Sequence, residues 1–209
     1  MAVEFEKNNK DRLPYLHYLE RFAKKDPAEI AERCRLAYDP GTRRFDVGLM
    51  GRRYAVRWPD FEITAGDGGG FRALDQINAK ILVLRYLVDG SFTPASGKFL
   101  SYRDMPWGEV YFQNFSGRCL NRFAFTFARR TADLERAMAA AGARRVGDGD
   151  YGYEVEFMDG LFQRFTLWLA DDEFPPSAQI LFSDNFALAF TAEDMAVVGD
   201  VSIGALGKL

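Results

Sequence analysis

Hydrophobic and polar positions change their period several times along the chain, and the changes mark its elements. Between Asp11 and Lys24, Leu13, Leu16, Leu19 or Tyr18, and Phe22 recur at helical spacing, which predicts an amphipathic helix. Asp26-Pro27 predicts the start of a second helix, with Asp26 as cap and Pro27 in the first turn. That helix carries Ile30, Cys34 and Tyr38 inward and stops at Asp39-Pro40-Gly41. From Arg44 to Trp58 the period becomes two. Phe45, Val47 and Leu49 alternate, Gly51 turns the chain, and Tyr54, Val56 and Trp58 alternate again, which predicts a hairpin. Phe61 to Thr64 adds a short strand beyond Pro59.

A glycine-rich turn, Gly66-Asp67-Gly68-Gly69-Gly70, leads into a helix from about Arg72 to Val88. Leu74, Ile77, Ile81, Leu84 and Val88, widened by Leu82, Val83 and Leu87, mark it as the central buried helix. After a loop and a short piece from Lys98 to Tyr102, Met105-Pro106-Trp107-Gly108 breaks the chain. Val110 to Phe115 reads as strand-like aromatics running into Asn114 and Ser116, which are expected to cap a helix reaching about Ala128. Thr131 starts a further helix that Gly142 ends.

Tyr151 to Ala170 is the plainest local pattern, two apolar-rich strands around Met158-Asp159-Gly160-Leu161. Asp-Gly suits a two-residue turn with positive φ at both positions. Ala178 to Phe182 continues as a strand, and Thr191-Ala192-Glu193-Asp194 resembles a capping box opening a last helix or turn. The expected fold is α+β: one domain over residues 1–209, with a helical part at 1–42 and antiparallel hairpins near 44–58 and 151–170 packed against helices.

Composition narrows the function classes. Hydrophobic residues make up 48% and charged residues 27%, as in ordinary globular proteins, while 19 Phe point to a ring-filled core. Net charge is −3, and the pairs Lys24-Lys25, Arg43-Arg44, Arg52-Arg53, Arg129-Arg130 and Arg144-Arg145 are scattered among carboxylates. Phosphate binding needs a concentrated basic face, so no nucleic-acid partner is expected. No apolar run reaches the ~20 residues of a membrane span. The start, Met-Ala-Val-Glu-Phe-Glu-Lys, lacks an apolar signal core, so a cytoplasmic protein without membrane contact is expected. The single histidine, His17, excludes a multi-histidine metal site and reads as a helix residue at the core edge. Cys34 and Cys119 are too far apart in sequence for a metal-type pair, and no metal site is expected.

Candidate chemistry gathers in two stretches. Ser116-Gly117-Arg118-Cys119 falls at an expected helix start, where backbone amides and Arg118 would attract an anion and an exposed Cys119 would have a lowered thiol pKa. The alternative is a capped helix with Arg118 ion-paired and Cys119 buried. In the second stretch, Asp171-Asp172-Glu173 leads through Pro175-Pro176 to Ser177 and Gln179, interleaved with apolar residues at strand spacing. Those acids could hold a hard cation with Asp184, or be merely solvated. Glu154, Glu156 and Asp159 read as the outer face of the hairpin. The glycines at 66–70 resemble a phosphate cradle, but Phe71 stands where the dinucleotide fingerprint has its third glycine, and a flexible linker is the simpler reading. Asn114, Ser116, Arg118, Cys119, Ser177 and Gln179 are the residues expected to line a shared ligand pocket.

Tyr111-Phe112-Gln113-Asn114-Phe115-Ser116-Gly117-Arg118-Cys119 and Asp172-Glu173-Phe174-Pro175-Pro176-Ser177-Ala178-Gln179-Ile180-Leu181-Phe182 together resemble a domain-of-unknown-function family, number 3786, of anaerobic bacteria and archaea. Ile81-Leu82-Val83-Leu84-Arg85-Tyr86-Leu87, Thr93-Pro94 and Thr191-Ala192-Glu193-Asp194-Met195-Ala196-Val197 fit the same pattern, so the resemblance covers about residues 58–199. Some relatives join this domain to a cysteine-rich iron–sulfur segment like that of corrinoid iron–sulfur proteins. The resemblance therefore implies corrinoid or one-carbon metabolism. Two distant cysteines cannot hold a four-iron cluster, so a corrinoid or iron–sulfur partner protein would have to supply it. The resemblance names no catalytic residue and no cofactor for this chain. Three readings follow: a binding or accessory protein for a small molecule, an enzyme using Cys119 or the Asp172 and Glu173 carboxylates, and an interaction module anchored by Trp58, Trp107 and Trp168.

Overall fold

The structure, a computed structural model, describes residues 9–66 and 73–208. In chain order it places α1 at Asn9–Ala23, α2 at Pro27–Cys34, β1 at Ala37–Asp39, β2 at Arg44–Leu49, β3 at Arg52–Arg57 and β4 at Ile63–Ala65. A 3-10 turn at Ala73–Asp75 precedes α3 at Ile77–Asp89, followed by β5 at Phe99–Ser101 and α4 at Gly108–Phe115. A π-helical turn, Ser116–Asn121, joins α4 to α5 at Arg122–Phe127, and α6 spans Thr131–Ala140. Then come β6 at Arg144–Val146, β7 at Tyr151–Met158, β8 at Leu161–Trp168, β9 at Ser177–Ser183, α7 at Phe186–Ala189 and α8 at Ala192–Leu206.

The described residues form one nine-stranded antiparallel sheet in the order β4-β3-β2-β7-β8-β9-β5, with β1 added on β2 and β6 on β7. The fold is α+β, as the alternating and helical periods predict. Leu49 opposite Met158 stitches the two hairpins into one sheet. One face is apolar and covered by helices: Phe22 of α1 meets Phe45, Phe123 of α5 meets Phe165, and Phe115 of α4 meets Phe182. The other face carries charge, with Glu154 accepting from Arg144 at 3.0 Å and from Arg164 at 2.9 Å across the strands. That ladder is the outer hairpin face expected for Glu154.

Both hairpin turns follow the sequence, with one difference. Met50 and Gly51 take φ of 49° and 77°, the mirror-image turn that two-residue hairpins favour. At Asp159-Gly160 only Gly160 has positive φ, and a register shift between Glu156 and Met158 absorbs the misfit. The Asp159 carboxylate turns away from solvent, accepts the Gly48 amide at 2.8 Å and pairs with Arg53. Asp159 therefore ties the hairpins together, which corrects its assignment to the outer face.

Three further expectations change. In α1 the buried residues are Tyr15 and Phe22, and Leu13 and Leu16 face solvent. Tyr38 is not in α2: Arg35 ends that helix with φ 50°, and Tyr38 lies in β1 against Phe45 at 4.7 Å between ring centroids. Val110 to Phe115 is helix, not strand; Phe115 stacks on Tyr102 at 4.0 Å, and this packing overrides the strand preference of its aromatic neighbours. The glycine-rich turn extends outside the described residues.

Candidate functional site

The two distinctive stretches do meet, but through rings. Phe115 lies 6.0 Å from Phe182, and Phe182 leads on to Phe186 and then Phe190, an aromatic chain between helices and sheet. The polar residues of the stretches point elsewhere. On β9, Ile180 and Phe182 are buried, so the strand period directs Ser177 and Gln179 to the opposite, exposed face. Asn114 is exposed on α4 and Ser116 is half-buried. The six residues expected to line one pocket thus lie on two sides of the sheet.

Ser116 does not begin a helix. Its amide bonds back to the carbonyls of Phe112 and Gln113, so the chain runs helically from Gly108 to Phe127 through the π turn, and no free amides are offered to an anion. Arg118 pairs with Asp200 of α8 at 2.7 Å, and Arg122 pairs with the other oxygen of that carboxylate. Cys119 is fully buried, its thiol 3.4 Å from the Ala196 carbonyl, and burial pushes its pKa up to about 12. The alternative reading of this stretch therefore holds for Arg118, which is ion-paired, and for Cys119, which is buried and lacks the exposure that a lowered thiol pKa requires. Cys34 is also buried, with its pKa raised to about 11 by burial.

The acids before the double proline are used locally. Asp171 accepts from the amides of Glu173 at 2.9 Å and Phe174 at 2.7 Å, while Asp184 is held by Ser96. Among the described residues no three His, Cys, Asp or Glu side chains group as metal ligands. His17 is exposed on α1, edge-on to Tyr18.

A cleft of about 280 Å³ lies away from the six residues expected to line a pocket. It opens between α1, α3, the Met105–Gly108 turn and the start of α8. Its walls are mostly apolar, including Met105, Trp107, Leu188 and Phe190. Pro106 fixes the turn, and the Gly108 amide donates to the Met105 carbonyl at 2.8 Å. With Trp107 at φ 66°, ψ 3°, this is a type II turn carrying Trp where Gly or Asn is usual. The indole is 76% exposed at the cleft rim. Gly108 is obligatory, because a Cβ there would come 1.8 Å from the Tyr102 carbonyl oxygen.

At the cleft floor, Arg85 of α3 pairs with Asp194 of α8; the two side chains are 27% and 4% exposed. The second Asp194 oxygen is engaged by the Thr191 hydroxyl at 2.7 Å and amide at 3.1 Å, the capping box that the sequence shows. Burial raises the Asp194 pKa against the opposing pull of Thr191 and Arg85. The Arg85 guanidinium also lies over the Tyr18 ring at 5.2 Å, and Arg21 lies over the same ring at 5.3 Å. Arg21 in turn grips Asp89 with two hydrogen bonds of 2.5 and 2.7 Å. Charges around the cleft are therefore balanced pair by pair, while Arg85 keeps N–H donors with no hydrogen-bond partner among the described residues.

A model of the family described as Domain of unknown function (DUF3786) matches residues 26–205. The chain belongs to that family. The matched span takes in both distinctive stretches and most of the cleft, leaving out Tyr18. No curated protein and no solved structure matches the chain. For this DUF3786 member the site must therefore be read from its own geometry. Two signals in the sequence pointed to the cleft: a lone arginine within the apolar run Ile81 to Leu87, and Trp between Pro and Gly in Met105–Gly108.

Proposed function

We propose that this chain is a small-molecule-binding protein whose ligand occupies the cleft between α3, the Met105–Gly108 turn and the start of α8. The observation that carries the reading is Trp107, a large apolar ring held exposed in a backbone conformation that costs a non-glycine residue of order 1–3 kcal/mol, beside a floor with open guanidinium donors. An apolar hollow with a few convergent polar groups is the usual form of a ligand site. At about 280 Å³ the cleft is at the small end of the roughly 300–1,000 Å³ range of such sites, which favours a compact metabolite. A corrinoid is too large to be enclosed there. If the family's association with corrinoid or one-carbon metabolism extends to this chain, its part is accessory, with the macrocycle and any cluster on a partner protein. Native mass spectrometry of protein purified without oxygen tests the reading. A bound small molecule is expected in the wild type and lost in Trp107→Ala; an identical load in both proteins would refute it.

A second reading has its own observation. Val110 is 70% and Tyr111 45% exposed on α4, directly after Trp107, so the rim continues into an apolar helix face. Such a surface suits a protein partner. Pull-down with the wild type and Val110→Asp separates the readings, because that substitution leaves the cleft lining intact. The thiol-enzyme reading predicts rapid alkylation of Cys119. Its burial predicts the opposite, slow reaction with iodoacetamide until the protein unfolds.

A further inference from the structure

We infer that the ligand class of this cleft is a small carboxylic acid with an apolar body, its carboxylate held by Arg85 and its body lying between Trp107 and the Met105, Leu188 and Phe190 side chains. The inference rests on the ligand-binding reading of the cleft and narrows it by charge and shape.

Arg85 has five N–H donors in a planar fork, and one ion pair with Asp194 uses only part of it. Asp194 cannot swing to take the rest, because its other oxygen is fixed by Thr191 at the helix start. The guanidinium is itself fixed, packed over Tyr18 at 5.2 Å on a buried helix. What remains is a fixed guanidinium with unused donors in the lining of an apolar hollow, and a ligand that meets it must bring acceptors. A carboxylate matches the fork bidentately and forms charge-assisted bonds about twice as strong as a neutral carbonyl would. The cleft equals the liquid volume of roughly nine waters, room for an acid of on the order of ten non-hydrogen atoms.

A second carboxylate on Arg85 would leave one negative charge without a partner, and two carboxylates sharing a site force one to take a proton. The groups facing Asp194 are Arg85 from α3, Thr191 and Glu193 from α8, and Tyr18 across the cleft from α1. Asp89 is already neutralised by Arg21. Asp194 is the more buried carboxyl, and burial already favours its neutral form. Binding of the acid therefore brings a proton to Asp194 and strengthens as pH falls.

The test is calorimetric titration of the full chain with benzoate, phenylacetate and 4-methylpentanoate, each against its amide, at about pH 5.5 and about pH 7.5, where all three acids stay largely ionised. At least one acid is expected to bind about tenfold or more tightly than its amide, to bind more tightly at the lower pH, and to lose that preference in Arg85→Gln. Arg85→Gln leaves Asp194 buried without its partner, so Arg85→Gln/Asp194→Asn, neutral on both sides, is titrated too and is expected to lose the preference equally. Amides binding as well as acids, or the double variant binding the acid like the wild type, would overturn the carboxylate assignment. If Trp107→Ala still abolished binding in that case, the cleft would remain a ligand site for another class. Neither acids nor amides binding, together with equal native mass spectra for wild type and Trp107→Ala, would end both readings.

Discussion

Where α4 and the π-helical turn lie on β9, the rings, the arginines and the thiol are taken up by packing and pairing; around Trp107, just before that helix, the unusual residues are left open. In the first region Phe115 and Phe182 bury their rings, Asp200 takes both Arg118 and Arg122, and Cys119 is closed off against Ala196. In the second, Trp107 is exposed on a left-handed backbone, and Arg85 keeps unused donors in the lining of a hollow. A sequence motif can thus be distinctive because it builds the core, and a less distinctive turn can hold the site. Satisfied polar groups mark the first kind and open ones the second.

The largest expected effect belongs to the packed region. Phe115 joins the Tyr102 stack to the aromatic chain through Phe182. Phe115→Ala should cost about 3–5 kcal/mol, measured by urea unfolding, because the cavity left between helix and sheet cannot collapse. A loss below about 1 kcal/mol would show that this contact is not the tight core it is taken to be. Next comes Gly199 on α8, where a Cβ would stand 2.8 Å from the Cys119 sulfur. Gly199→Ala should cost about 1–3 kcal/mol by overpacking, and Cys119→Ala in the same chain should restore most of it. Absence of rescue would mean that the π turn does not hold Cys119 against α8.

The site was less legible than the fold for a physical reason. Period-two alternation at 44–58 and 151–170 and the capping box at Thr191 are local patterns, and each forms as read. Longer-range context decided the rest. Val110-Tyr111-Phe112 has strand-forming residues, yet the segment is helical and is anchored by Phe115, which stacks on Tyr102. β6 carries two arginines and pairs only with the end of β7, too short to show a period. α8 is buried on nearly all sides, so it lacks the polar stripe by which a helix is recognised, and only its start was evident. The cleft joins α1, α3, the 105–108 turn and α8 across most of the chain, so Arg85 and Trp107 stand out locally as single residues while no local spacing brings them together.

The open region is tested by charge before shape. Asp194 has a raised pKa in the folded protein through burial, so its folded form holds a proton over a pH range where the unfolded chain does not. Its share of stability is therefore largest below the ordinary aspartate pKa and declines as pH rises through the folded value. The difference in Tm between the wild type and Asp194→Asn should shift against the wild type from about pH 4 to about pH 8, other groups cancelling in the comparison. A difference that instead moves in the wild type's favour would mean that Arg85 outweighs burial and that Asp194 stays ionised.

The smallest effect is the most pointed. At the third position of a type II turn Gly is free of the strain that Trp107 bears, and an indole that is 76% exposed contributes little burial. Trp107→Gly relieves a conformational cost of order 1–3 kcal/mol and gives back part of it through the larger entropy of glycine in the unfolded chain. The net expectation is a protein more stable by up to about 1 kcal/mol, seen as a Tm higher by a few degrees, that has lost its ligand. Gain in stability with loss of binding would identify Trp107 as a residue kept for function against the preference of its own backbone. A destabilised variant would instead place the indole among the packing residues, and the contrast between the two regions would disappear.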